Sequence, residues 1–207
     1  GLYQGEISDT TGKKCQVSIS DYSLQAPNRE YKIHIAIAPT KNIDRIEWFV
    51  EKAVEIGVDQ ISFLLTSHSE RKALKLDRIE KRAIAAMKQS GNFYLPQIGE
   101  LTKFADFLAS SEEKSKFMAY VPANIADTLQ KNFEGKDTCV LIGPEGGFSP
   151  EEVEIAKKAG FTAVSLGKSR LRTETAGIVA CHTLNLDIWR VLKKGEYLVE
   201  AKVIWSV

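Results

Sequence analysis

The chain has 207 residues, 43% hydrophobic and 27% charged, with a formal net charge of +1. That balance supports one medium-sized core with at most a small accessory piece, and it excludes disorder and collagen-like repetition. No apolar run approaches the roughly 18 residues of a membrane span, and a net charge so close to zero argues neither for nor against a nucleic-acid partner.

The opening residues, GLYQGEISDTTGKK, hold no basic-then-apolar signal region. They also lack a methionine, so the natural start is expected upstream of Gly1. Residues 3–20 read as two short strands around a polar turn, YQGEI and CQVSIS flanking DTTGKK. A lone hairpin is marginal in water, so this pair is expected to end a larger β element. Residues 23–30, with Pro27 and Asn28, read as a linker.

From residue 31 the pattern changes. YKIHIAIA (31–38) is a strand rich in β-branched residues. Asp44 stands three positions before Glu47, a start signal of the capping-box kind. Ile46, Phe49, Val50, Ala53 and Val54 follow at helical spacing, and Gly57 closes the helix. VDQISFLLT is the next strand. A helix over 76–90 carries Leu76, Ile79, Ala83, Ala86 and Met87 on one side. Between residues 71 and 88 seven basic residues (Arg71, Lys72, Lys75, Arg78, Lys81, Arg82, Lys88) face two acidic ones, a surplus suited either to phosphates or to a solvated helix face. A short helix at 104–108, strand KFMAYV (116–121), a helix at 125–131 and strand DTCVLIG (137–143) complete the run. Alternating strands and helices predict an α/β fold with a mainly parallel sheet.

Cys15, Cys139 and Cys181 are far apart and lack CxxC spacing; the last two sit in the apolar stretches CVLIG and IVACHTL, where a reduced thiol packs as a small hydrophobe. Neither a disulfide nor a zinc site is expected, because the three histidines are scattered. His34 and His182 lie in apolar stretches and read as core residues. A reducing cytoplasm fits this usage.

The chemistry concentrates in residues 137–187, two successive strand–loop–helix units. In the first, TCVLI runs into GPEGG, where three glycines in five residues expose backbone amides to a ligand. Ser149, Pro150 and Glu152 then start a helix with a cap, a first-turn proline and a capping-box acid. In the second, TAVSLG runs into KSRLRTETAG. Lys168, Arg170 and Arg172 crowd within five residues, Thr173 stands where it can cap the next helix, and Ala176 and Gly177 keep its first turn slim. Such loops lie beyond the carboxyl ends of parallel strands, where α/β proteins bind ligands. Gly167-Lys168-Ser169 imitates the end of a P-loop, but the pattern requires glycine at the position of Thr162, and no GxGxxG passes through GPEGGFS. ATPase and nicotinamide chemistry are thereby disfavoured.

GPEGGFSPEE followed by LGKSRLRTETA resembles the bacterial 16S rRNA uridine methyltransferases that modify ring nitrogen 3, members of the SPOUT class. DRIEWFVEKAVEIGV, TSHSERK and QSGNFYLPQI extend the resemblance over roughly residues 31–187. It implies a trefoil-knotted, mainly parallel sheet with flanking helices at residues 29–190. Residues 1–28 would be the remnant of a PUA-like RNA-binding β-barrel and linker. Residues 191–207 resemble nothing in the family, although YLVEAKVIWSV alternates like a strand.

By the same resemblance the cofactor is S-adenosylmethionine (SAM), held by Leu141, Ile142, Gly143, Pro144, Glu145, Gly146, Gly147, Leu166, Gly167, Leu171, Thr173, Thr175 and Ala176. Arg172 would stabilise the uridine anion. Glu174 would accept its proton or orient Arg172, and Glu145 is the alternative acid–base group. Arg71, Lys72, Lys168 and Arg170 would bind RNA phosphates. The implied partners are 16S ribosomal RNA and a second copy of the chain, with no membrane. The alternatives are a SPOUT enzyme acting on another RNA such as tRNA, and a non-catalytic RNA-binding knot protein.

Overall fold

The computed structural model describes residues 2–12, 14–23, 29–120 and 126–186. Strands β1 (Leu2–Asp9) and β2 (Gln16–Ser23) pair antiparallel as a two-stranded ribbon with two register shifts, and β2 is exposed along its whole length.

The remaining six strands form one sheet: β3 (Ile33–Ile37), β4 (Gln60–Leu65), β5 (Gln97–Lys103), β6 (Ser115–Ala119), β7 (Thr138–Ile142) and β8 (Thr162–Val164). Their order is β5-β4-β3-β7-β6-β8 and every pairing is parallel. Helices α1 (Ile43–Ile56), α2 (Leu76–Gln89), α3 (Phe104–Ser110), α4 (Leu129–Asn132), α5 (Pro150–Lys158) and α6 (Thr173–Leu186) connect and flank it. A parallel sheet covered on both faces needs strands apolar on both sides, and the central strands IHIAI and TCVLI are buried at every residue. Alternate side chains feed two cores. Ile33, Ile35, Ile37, Val140 and Ile142 meet α1, α2 and α6, while Ala36, Cys139, Leu141 and Met118 meet α3 and α5.

Strand β5 is absent from the sequence reading. QIGELTK lacks a β-branched run because it is a half-exposed edge strand with one core face to fill. Helix α1 begins two residues earlier than the Asp44 signal suggests: Asn42 is the cap, its side chain accepting from the Asp44 amide at 3.0 Å. Glu47 is instead buried, paired with Arg78 and Arg82 of α2. Two of the seven basic residues are thus spent tying helix to helix. Gly57 closes α1 at φ 108°, a left-handed conformation that glycine adopts without strain.

The helix expected at 125–131 is the single turn α4, capped by Thr128; residues 121–125 lie outside the described residues. His34 is buried with both ring nitrogens engaged, Nδ1 by Glu113 and Nε2 by Ser62 at 2.9 Å. His182 is exposed on the outer side of α6, so its apolar neighbours misled the sequence reading. Cys139 and Cys181 are buried, and burial raises both thiols, Cys181 to about 12. The segment YLVEAKVIWSV falls outside the described residues.

Candidate functional site

In a sheet where all strands run one way, every strand-to-helix turn emerges at the same edge. Here β3 leads to β4 on one side and is flanked by β7 on the other, so the connections diverge and leave a crevice at the carboxyl ends. A cleft of about 920 Å³ occupies that edge. Its wall takes Ile142 to Phe148 from the loop after β7, Ser165 to Thr173 from the loop after β8, and Ala119 and Tyr120 from the end of β6. Ala176 and Arg45 complete it.

Each loop is held by bonds readable from its residues. Gly147, at φ 72°, donates its amide to Pro144 O at 2.9 Å and closes the GPEGG turn. His68 Nδ1 lies 3.0 Å from Gly147 O, and a Cβ built on Gly146 would stand 3.1 Å from His68 Cβ. The turn therefore rests closely against the 66–70 loop, and a side chain at Gly146 would have to push His68 aside by a few tenths of an ångström. Glu152 performs two tasks: it completes the capping box with Ser149 and accepts from the Ser67 amide at 2.7 Å. The β8 loop is folded by Ser165, whose hydroxyl donates to Gly167 O at 3.0 Å. The two loops are joined directly, the Thr173 hydroxyl donating to Gly143 O at 3.0 Å. Thr173 is thus the first residue of α6 rather than its cap, and Arg172 O accepts the first helical bond, from Ala176 at 2.8 Å.

Most of the sequence-derived residues converge here. Ile142, Gly143, Pro144, Glu145, Gly146, Gly147, Leu166, Gly167, Lys168, Arg170, Leu171, Arg172, Thr173 and Ala176 all line the cleft. Three do not. Leu141 points to the opposite core, because adjacent strand residues face opposite sides. Thr175 lies on α6 away from the cleft, and Glu174 is buried behind it. Glu145 is turned toward the β3–α1 loop, accepting from the Lys41 amide at 3.2 Å. Arg71 supports that loop from below through Thr40 O at 3.1 Å and Lys41 O. Lys72 is exposed outside the cleft.

Arg45, His68, Tyr120 and Ser165 are additions. Arg45 follows β3 in the chain, and only the adjacency of β3 and β7 brings it beside the GPEGG loop. Among the described residues one group brings metal-type ligand atoms within 4.8 Å of one another, namely His34, Glu113 and Cys139. Both imidazole nitrogens there are already partnered.

A parallel sheet with helices on both faces, and glycine-bearing and cationic loops gathered over one crevice, defines an α/β protein with a ligand-sized cleft at the carboxyl ends of its strands. Comparison with known proteins narrows this. A family described as an RNA methyltransferase domain matches residues 27–185. Ribosomal RNA small subunit methyltransferase E of Mesomycoplasma hyopneumoniae (strain 232) is 33% identical over 162 residues, 73% of this chain and 67% of that protein. The probable rRNA-methyltransferase from Porphyromonas gingivalis superposes with a TM-score of 0.80 at 45% identity, covering 89% of this chain and 80% of that one. The Neisseria gonorrhoeae ribosomal RNA small subunit methyltransferase E, solved bound to S-adenosyl methionine, gives a TM-score of 0.78 at 25% identity over 89% of this chain and 78% of its own. The chain belongs to this family of RNA methyltransferases, among the SPOUT proteins named ribosomal RNA small subunit methyltransferase E. No helix among the described residues is long and apolar enough to cross a membrane.

Proposed function

We propose that the protein transfers the methyl group of SAM to ring nitrogen 3 of a uridine in 16S ribosomal RNA. The observation that carries this reading is the single cleft shared by the GPEGG and LGKSRLRTET loops. The residues fit the cofactor. A cleft of about 920 Å³ accommodates a molecule of that size. Ile142, Leu166 and Leu171 give an apolar wall for a flat base, while Leu141 lies in the opposite core. Glu145 and Gly146 are exposed at the tip of the first loop, and Thr173 and Ala176, in the first turn of α6, line the cleft where the amino-acid part is expected.

When bound, SAM supplies a methyl carbon already activated by its sulfonium. The chain has to orient the two reactants and favour the deprotonated base. Arg172 lines the cleft without an acidic partner among the described residues, so its guanidinium is free to offset charge developing on the uracil ring. Lys168 and Arg170 beside it, and Lys72 with Arg71 farther along, are suited to RNA phosphates.

The same reading carries a trefoil knot that threads the two loops, and a homodimer with each cleft at the subunit interface. It takes residues 29–190 as the catalytic domain, residues 1–28 as the end of a PUA-like RNA-binding barrel, 191–207 as an extension, and the cytoplasm as location. The test is incubation with labelled SAM and under-methylated small ribosomal subunits, followed by mapping of the modified base. Label at ring nitrogen 3 of one 16S uridine is expected; label confined to transfer RNA overturns the assignment.

A further inference from the structure

Glu174 is 6% exposed and does not line the cleft. Its Oε2 is buried and has no hydrogen-bond partner among the described residues, while its Oε1 lies 3.8 Å from Arg45 Nε. A buried carboxylate left with one cation and an unsatisfied oxygen is costly, and among the described residues the one charge beside it is Arg45. Arg45 has the complementary position. It stands in the first turn of α1, retains 39% side-chain exposure and lines the cleft. No other ion pair engages Arg45 among the described residues.

We infer that Arg45 is a second guanidinium in contact with substrate, recognising an anionic oxygen of the RNA, and that Glu174 is its positioning residue rather than a proton acceptor. This rests on the methyl-transfer reading above. A proton acceptor needs to reach the proton it takes, within hydrogen-bond distance or through one water, and Glu174 is separated from the cleft by its own burial. Arginine suits the opposite role: it stays charged, and its planar fork can bond a carboxylate on one edge and present the other to a ligand. With Arg45, Lys168, Arg170 and Arg172 along its wall against Glu145 alone, the cleft is built for a polyanion. The anionic oxygen belongs either to a backbone phosphate or to an exocyclic carbonyl of the deprotonated uracil.

The test is a double-mutant cycle on the full chain with Arg45→Gln, Glu174→Gln and the pair, read by SAM calorimetry, thermal melting and methylation of under-methylated small subunits. Arg45→Gln is expected to lower kcat/KM for RNA about 100-fold, the size of effect seen when one preorganised electrostatic donor is removed, with SAM affinity within about twofold of wild type. Glu174→Gln is expected to cost about tenfold, and the double variant to be no worse than Arg45→Gln alone, because groups acting as one unit are not additive. Arg45→Lys should recover part of the loss, which a purely structural role would not give. A phosphate contact would appear as a fall of about 1 in the salt slope of RNA binding. A contact to the uracil oxygen would leave that slope unchanged and lower kcat.

Full activity in Arg45→Gln overturns the inference, as does a double variant whose loss is the product of the single losses. A wild type that binds SAM but methylates no ribosomal RNA refutes the parent reading instead.

Discussion

Replacing Gly177 with alanine should loosen the site from behind. Helix α6 crosses α1 at this glycine, and a Cβ there would lie 2.6 and 2.9 Å from the Phe49 ring and 3.1 Å from Ile37 Cδ1. Ordinary carbon contacts are about 3.5–4.0 Å, so roughly 1 Å has to be recovered. Phe49 and Ile37 are both fully buried, and neither can swing into solvent. Overpacking of this kind costs about 1–3 kcal/mol, and the close approach here belongs at the upper end. Alanine returns about 1 kcal/mol through helix propensity. The net destabilisation is about 1–2 kcal/mol, which for a chain of this length lowers the melting midpoint by about 2–8 °C. Methyl transfer should fall further than stability does, because Thr173, one turn earlier, bridges to Gly143 and moves with α6. Circular dichroism melts and the small-subunit methylation assay read both effects. A midpoint equal to or above wild type would refute the argument, since it would mean that the Phe49 ring yields freely.

Thr173→Val keeps the shape of the side chain and removes the donor that links the loops; about 1 kcal/mol of stability and most SAM affinity should be lost, with calorimetry deciding. Unchanged affinity would show that the bridge does not organise the cleft. Glu113 gives a pH signature. Burial opposes its charge, but hydrogen bonds from His34 and Ser111 outweigh that and hold the carboxyl at about 2, below its ordinary 4.5. A depressed acid stabilises the fold above its unfolded pKa and loses that contribution as pH falls through the folded one. The urea-midpoint gap between wild type and Glu113→Gln should therefore be widest above about pH 4.5 and close toward about pH 2. A gap constant with pH would contradict the pairing.

What the sequence revealed follows from which forces leave a local trace. The central strands were legible because burial on both faces demands unbroken apolar runs such as IHIAI and TCVLI. The cap at Ser149 was legible because a capping box is a property of four consecutive residues. The cap at Asn42 was misplaced because Asp44 and Glu47 imitate the same signal, whereas Glu47 answers to arginines 31 and 35 positions away. Arg45 was invisible for a related reason. Its place in the cleft depends on β3 lying beside β7, more than 100 residues later in the chain, and strand order leaves no mark on DRIEW. The continuous motif running from TCVLI into GPEGG gives no sign that Leu141 and Ile142 part ways, yet strand alternation sends these neighbours to opposite faces.

At the far edge of the sheet, Arg29 donates to Tyr31 O, Gly57 O and Asn185 Oδ1 and pairs with Asp59, while the Tyr31 hydroxyl reaches Leu184 O at 2.8 Å. One guanidinium thereby buckles the entry into the parallel sheet to the end of its last helix. With entrance and exit fastened side by side and remote from the cleft, the unit is closed like a loop of belt. Residues 29–31 and 184–185 therefore meet at the end of the sheet away from the GPEGG and LGKSRLRTET turns.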